Sequence, residues 1–249
     1  MKALGIIGYH HTGKTSIVVA LVKALTARGF RVATIKDIHS EKFRADIEGK
    51  NSALHIAAGS VQTFARGIYD SAMIYPKPLS LSEILPHVDA DYLIIEGMKE
   101  AAVPKIVCAA SATELDELID DTCMGIAGVI SDELQEYRGL KAFHHSRDID
   151  ALCTLIVDKG FKILPMAEPD CCSRCGSNCY QMAGDIVQGR RSRKDCVLDS
   201  QAGISLEVGG RPITIVPFVQ EILKDTILAV LKNLKDTDIS KEIKIQIKP

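Results

Sequence analysis

The chain has 249 residues, 47% apolar and 25% charged, with a formal net charge of −2. That composition belongs to a globular protein and excludes a disordered, collagenous or fibrous chain. Near-neutral charge gives no reason to expect nucleic acid or an anionic membrane as partner. The longest purely aliphatic stretch, residues 17–22, is far too short to span a bilayer. The N-terminal residues 1–8 lack the apolar run and cleavage site of a signal peptide, so a cytoplasmic location is expected. Among eight cysteines, five (Cys171, Cys172, Cys175, Cys179 and Cys196) fall within 26 residues. In a reducing compartment such a cluster points to metal ligation rather than disulfides.

The first two-thirds alternate β-rich runs with helical patterns, as in an α/β domain with a mostly parallel sheet. Residues 2–7 predict a buried strand and 14–28 a long helix, which Gly29 is placed to stop. Further strands are predicted at 31–35, 61–65, 71–75, 92–95, 105–108 and 124–130, and helices at 52–58, 82–87 and 148–158. Pro165 and Pro169 mark a break, which puts a domain boundary near residue 166. Beyond Cys196, a hairpin is expected from 204–208 and 213–216 around Gly209-Gly210. Pro217 opens an amphipathic helix, and alternation over 242–248 predicts an edge strand.

Gly8-Tyr9-His10-His11-Thr12-Gly13-Lys14-Thr15 fits G-x-x-x-x-G-K-[ST] without a mismatch. A strand precedes it and an uninterrupted helix pattern follows, as a phosphate loop requires. Glycines let backbone N–H groups turn inward around phosphates, and the helix N-terminus adds its positive end. Lys14 would neutralise β and γ oxygens while the Thr15 hydroxyl ligates Mg²⁺. Gly8, His10, His11, Thr12, Gly13, Lys14, Thr15 and Ser16 are therefore the candidate nucleotide-binding residues. A second acidic group is expected at a neighbouring strand end, and either Asp37 or Glu96 is placed to hold a magnesium-bound water or orient the attacking one.

Several further segments resemble the MobB family, the adaptor GTPases of molybdopterin-guanine dinucleotide biosynthesis. They are Ile35-Lys36-Asp37-Ile38-His39, Asp46 through Ser52, Ala58-Gly59-Ser60, and Ile94-Ile95-Glu96-Gly97-Met98-Lys99 followed by Pro104-Lys105-Ile106. The resemblance runs over residues 1–160, and the Glu-Gly-x-Lys…Pro-Lys-Ile segment is its most specific part. It implies a P-loop fold of the dimeric metabolic GTPase class, with GTP bound and weakly hydrolysed in support of molybdenum or tungsten cofactor maturation. The implied partners are molybdopterin or the molybdenum cofactor, a cofactor guanylyltransferase and a second copy of the chain. Asn51 stands where the family often has Asp, which puts any charge-dependent role there in doubt.

The residues themselves place Lys36 and His39 after the second strand, facing the nucleotide edge. Asn51 or Ser52 serves as a helix N-cap or a ligand, and Lys99 and Lys105 hold a second anion or lie on a solvated surface. Guanine needs an acceptor for its N1–H and amine. Asp132 is a candidate carboxylate, with a strand-end turn as the alternative.

Cys172-x2-Cys175, Cys179 and, after sixteen residues, Cys196 supply four thiolates, with Cys171 as a spare. The spacing resembles the small four-cysteine [4Fe–4S] domain, in which a Cys-Gly segment leads into a short helix and a final cysteine; the resemblance implies a helix at 180–189. Three close cysteines and one remote one suit a cubane better than structural zinc, which more often pairs two knuckles, although zinc or unligated thiols remain alternatives.

The expected fold is α/β: a P-loop NTPase domain with a mostly parallel sheet (residues 1–165) and a small C-terminal α+β iron–sulfur unit (166–249). The expected function is a GTP-binding adaptor with slow hydrolysis, since no obvious glutamine or arginine finger accompanies the loop. The competing readings are a metallochaperone GTPase delivering metal through the cysteines, a non-hydrolysing GTP-dependent binding module, and an ATP-dependent ligase of related fold.

Overall fold

In the computed structural model, β1 (Lys2–Gly8) runs through the middle of a seven-stranded sheet, with its inner five residues buried. The structure describes residues 1–47, 49–166 and 175–196 and, of the C-terminal part, 204, 206–209, 211–213, 215, 217–234 and 243–245. In chain order, β1 is followed by α1 (Lys14–Ala27), β2 (Val32–Lys36) and α2 (Asn51–Ala57). Then come β3 (Thr63–Arg66), β4 (Ser71–Ile74), α3 (Leu81–Ile84), β5 (Tyr92–Glu96) and β6 (Lys105–Cys108). Next are α4 (Ala112–Leu118), β7 (Cys123–Ala127), β8 (Glu136–Tyr137), β9 (Leu140–Phe143) and α5 (Ile149–Lys159). The C-terminal part adds α6 (Cys179–Val187), β10 (Leu206–Val208), β11 (Arg211–Ile213) and α7 (Pro217–Leu231).

The sheet order is β2-β5-β1-β6-β7-β9-β8, with every neighbouring pair parallel except β8 and β9. Strands buried on both faces read as continuous apolar runs, and β5 and β7 are buried at every position. Alternation in β1 divides the core. Leu4 and Ile6 meet Ile17, Leu21 and Leu25 of α1 and Leu152, Cys153 and Ile156 of α5. Ile7 joins the opposite layer with Val107, Leu115, Leu118 and Ile126. The apolar stripes of α1 and α5 thus cover one face and α4 part of the other. The first turn of α1 consequently lies at the C-terminal edge of the sheet, between the ends of β5 and β6.

Most predicted elements form within one or two residues of their expected bounds. Two differ in kind. The strand expected over 124–130 stops at Ala127, because Gly128 turns at φ +89° and Val129–Asp132 coils into a 3₁₀ turn. The helix expected over 82–87 divides into α3 and a 3₁₀ turn, Leu85–His87, with Pro86 in that turn. No element is predicted over 112–118 or 140–143, where α4 and β9 form. Of the edge strand expected at 242–248, residues 243–245 are not in a strand and the rest lie outside the described residues. Among the described residues, no helix is long and apolar enough to cross a membrane.

Helix α6 starts one residue before its predicted position because Asn178 and Gln181 form a reciprocal cap. Met182, Ala183 and Cys196 pack with Ala102, Phe161 and Leu164, so the described part of the cysteine segment sits on the body of the sheet domain.

Candidate functional site

The loop between β1 and α1 leaves the N-terminus of that helix without a side-chain cap. Gly13 occupies the N-cap of α1 at φ +89°, no side chain caps the helix, and no acidic residue lies in its first turn. The first amides and the positive end of a 14-residue helix are therefore left for a ligand. His11, Thr12, Gly13, Lys14, Thr15 and Ser16 line an open cavity of about 320 Å³. The buried Thr12 hydroxyl donates to the Tyr9 carbonyl at 2.9 Å, and the Lys14 ammonium donates to the same oxygen. Burial lowers the Lys14 pKa from its ordinary value, partly offset by the Glu96 charge. His10 and His11 are exposed with ring centroids 6.4 Å apart.

Glu96 closes the acidic side. It is buried at the end of β5, and its Oε1 accepts from Thr15 Oγ1 at 2.9 Å and Lys36 Nζ at 2.7 Å. Parallel pairing of Lys36 with Glu96 and of Ile6 with Glu96 sets this juxtaposition. Asp37, the other acidic candidate, turns away. Its backbone N–H donates to the Glu96 carbonyl at 2.8 Å, while its carboxylate pairs with His39 Nε2 at 3.1 Å. Of the two, Glu96 is therefore the carboxylate that reaches Thr15.

Gly128 is a support that the sequence pattern does not reveal. At φ +89°, a Cβ there would stand 2.2 Å from the Thr12 carbonyl, and the next amide, Val129 N–H, donates to that same oxygen at 3.2 Å. The turn after β7 thus braces the phosphate loop. It ends on Asp132, whose half-exposed carboxylate receives His144 Nε2 at 3.0 Å. The Ser131 hydroxyl donates to the Gly128 carbonyl at 2.6 Å, and Arg147 reaches the Ser131 carbonyl at 2.8 Å. Asp132 accordingly lies on the turn that supports the loop, three residues past its contact with Thr12.

The two lysines of the sequence motif have separate fates. Lys99 Nζ stands 4.5 Å from the Tyr9 ring centroid. Lys105 has no exposed surface, so it is neither solvated nor open to a second anion.

Of the candidate thiols, Cys172 and the spare Cys171 lie outside the described residues. Cys175, Cys179 and Cys196 border one apolar cluster with Leu164, Met182 and Ala183, and none forms a disulfide. Soft thiols without carboxylates suit iron–sulfur or zinc chemistry rather than magnesium or calcium. Among the described residues, no three His, Cys, Asp or Glu side chains converge as a metal site. Cys108, Cys123 and Cys153 are core residues, and burial pushes the thiols of Cys108 and Cys123 up to about 12.

The comparisons identify the family. A family model described as molybdopterin guanine dinucleotide synthesis protein B matches residues 3–132, more than half of the chain. A protein of Methanocaldococcus jannaschii, named as a molybdopterin-guanine dinucleotide biosynthesis adapter protein, is 29% identical over 255 aligned residues, covering 99% of this chain and 97% of its own. The Haemophilus influenzae protein of that name is 37% identical over 109 residues, 42% of this chain and 61% of its own. The crystal structure of Bacillus subtilis MobB superposes with a TM-score of 0.53 at 22% identity, over 62% of this chain and 98% of that one, which shows a shared fold. The phosphate loop, the Glu96 strand end and the turn at Gly128 all lie within the matched span, and the chain belongs to the molybdopterin guanine dinucleotide synthesis protein B (MobB) family.

Proposed function

We propose that the chain is a GTP·Mg²⁺-binding adaptor with weak GTPase activity, acting in the cytoplasm on guanine dinucleotide biosynthesis of the molybdenum or tungsten cofactor. The observation that carries this reading is the uncapped α1 N-terminus with Lys14 above it and Glu96 bonded to Thr15 beside it. The adapter names of the relatives supply the pathway.

In this reading the amides of residues 11–16 hold the phosphates, and Lys14 leaves the Tyr9 carbonyl for the β and γ oxygens. The Thr15 hydroxyl oxygen would hold magnesium while its proton stays hydrogen-bonded to Glu96, which Lys36 keeps in place. Asp132 accepts from the guanine N1–H and amine. Bound magnesium would offset charge on the β- and γ-phosphates. Hydrolysis is slow because no obvious finger residue accompanies the loop.

Cys172, Cys175, Cys179 and Cys196 are proposed to hold a [4Fe–4S] cluster, with zinc as the alternative. Support comes from the thiol donor set and the apolar wall shared by the three described cysteines. Such a cluster would supply a redox-active or purely structural anchor. Anaerobic purification followed by iron, sulfide and zinc analysis decides between the metals. Iron and sulfide with broad absorption near ~400 nm support the cluster, whereas a colourless protein with stoichiometric zinc overturns it.

The proposed partners are molybdopterin or its molybdenum form, a guanylyltransferase acting on it, and a second copy of this chain. Exposed Phe64, Ile68 and Tyr69 around the β3–β4 hairpin favour a covered surface there. The adaptor role is tested by adding the protein and GTP·Mg²⁺ to a molybdopterin guanylyltransferase. A raised yield of guanine dinucleotide is expected, and a yield unchanged by the protein contradicts the role.

A further inference from the structure

Lys105 opens β6 and is completely buried, an unusual place for an ammonium. Its Nζ donates to the Lys99 carbonyl at 2.5 Å and to the Tyr180 hydroxyl at 2.7 Å, and it stands 4.0 Å from the Tyr180 ring centroid. Tyr180 in turn donates to Asp120, which also accepts from the Thr122 hydroxyl and amide. Two of the three partners of this buried charge, the hydroxyl and the ring, thus belong to α6, and Tyr180 is adjacent to Cys179.

The third partner leads to the phosphate loop. The ends of the segment 97–104 are held by Gly97 N–H on the Ile6 carbonyl and by Gly5 N–H on the Pro104 carbonyl, Lys105 ties its Lys99 carbonyl between them, and the ammonium of that same Lys99 lies over Tyr9. The Tyr9 carbonyl receives both Lys14 and Thr12. A fully buried ammonium loses stability with each partner removed, because its desolvation is then less compensated. If α6 moved away, Lys105 would lose both the hydroxyl and the ring and would turn towards water and the nearby Asp120 carboxylate. The Lys99 carbonyl would lose its donor, and the stretch holding Lys99 over Tyr9 would lose one of its ties.

We propose that Lys105 is a positioning residue for the phosphate loop, held in place by Tyr180, so that docking of the cysteine-bearing helix α6 and nucleotide binding at residues 8–15 favour each other. The inference rests on the nucleotide reading above. Linkage makes it reciprocal: whatever seats α6, thiol ligation included, tightens nucleotide binding, and nucleotide seats α6.

The test uses the full chain and a fluorescent N-methylanthraniloyl-GTP with Mg²⁺, titrated into the wild type, Tyr180→Phe, Tyr180→Leu, Lys105→Met and the Lys105→Met/Tyr180→Leu double variant. Tyr180→Leu is expected to weaken binding by about fivefold, the scale of one buried interaction transmitted to a second site. Tyr180→Phe keeps the ring over the ammonium and should recover part of that loss. The double variant should bind no more weakly than Lys105→Met, because both changes break one link. Amide exchange should rise at residues 9–14 and 97–104 in Tyr180→Leu.

Unchanged affinity and unchanged exchange at 9–14 in Tyr180→Leu, with a lower unfolding midpoint alone, would make the contact a structural pin and overturn the proposal. Effects that simply multiply in the double variant would also overturn it. If Lys105→Met does not fold, the graded Phe and Leu pair decides by itself. Lys14→Ala separates the two claims. Loss of binding there with unaffected Tyr180 variants removes only the coupling, whereas full binding by Lys14→Ala removes the nucleotide reading and the coupling with it.

Discussion

The Thr15 hydroxyl donates to Glu96 Oε1 at 2.9 Å, joining the first turn of α1 to the end of β5 across 81 positions of sequence. Lys36 reaches the same oxygen from β2 at 2.7 Å. A carboxylate that orients a hydroxyl ligand belongs to the metal's outer support, whose loss typically costs about 10–100-fold in metal affinity. Glu96→Gln keeps the shape and removes the charge. It is expected to raise the Mg²⁺ concentration needed for half-maximal GTP binding by at least about tenfold, measured by titrating Mg²⁺ at fixed GTP. An unchanged Mg²⁺ requirement would leave Glu96 a structural partner of Thr15 and Lys36.

Gly128→Ala should damage the phosphate loop without touching it chemically. The new methyl would meet the Thr12 carbonyl at 2.2 Å on a backbone at φ +89°. Strain and displacement together are expected to cost about 2 kcal/mol or more and to weaken GTP binding, read from denaturant unfolding and from titration. Retention of both stability and affinity would mean that the turn yields freely.

The contribution of these positions to the sheet explains why some were legible in sequence and others were not. The phosphate loop was readable because strand, glycine turn, lysine and helix are contiguous and each residue has a local reason to be there. Burial runs likewise exposed β5, β6 and most of β7. Gly128 and Lys105 were not readable, because what matters about them is which distant backbone they approach. Nothing near Gly128 in sequence announces Thr12, and a lysine beside Pro104 gives no sign that Tyr180 covers it. The choice between Asp37 and Glu96 was left open for the same reason. Both end a strand, and only the pairing of β2, β5 and β1 shows which carboxylate reaches Thr15.

Asp132→Asn tests base recognition. A carboxylate that accepts from the guanine N1–H and amine finds no such pair of donors on adenine, whose N1 is itself an acceptor. The substitution is expected to reduce the preference for GTP over ATP by about tenfold or more, compared by competition against a labelled nucleotide. Preserved selectivity would assign Asp132 to its partner His144 instead.

Acid sensitivity should report on Asp120. Burial alone would raise its pKa, but hydrogen bonds from Thr122 and Tyr180 and the Lys105 charge outweigh this and hold it below its ordinary value. A carboxyl with a lowered folded-state pKa stabilises the protein above its unfolded value of about 3.9, and that contribution is lost as pH falls through the folded value. Asp120→Asn should therefore be less stable than the wild type at neutral pH, with the difference shrinking below about pH 4. Unfolding midpoints across that range give the readout, and a difference that stays constant into acid would contradict the assignment.

Calorimetric titration of GTP and of ATP, each with Mg²⁺, into the wild type and Lys14→Ala tests the nucleotide site most directly. Saturable binding with GTP preferred is expected, weakened by about thirtyfold or more in Lys14→Ala, the scale of losing a charge partner in a desolvated contact. Equal binding of GTP by the two proteins, or no binding by the wild type, would contradict the nucleotide assignment.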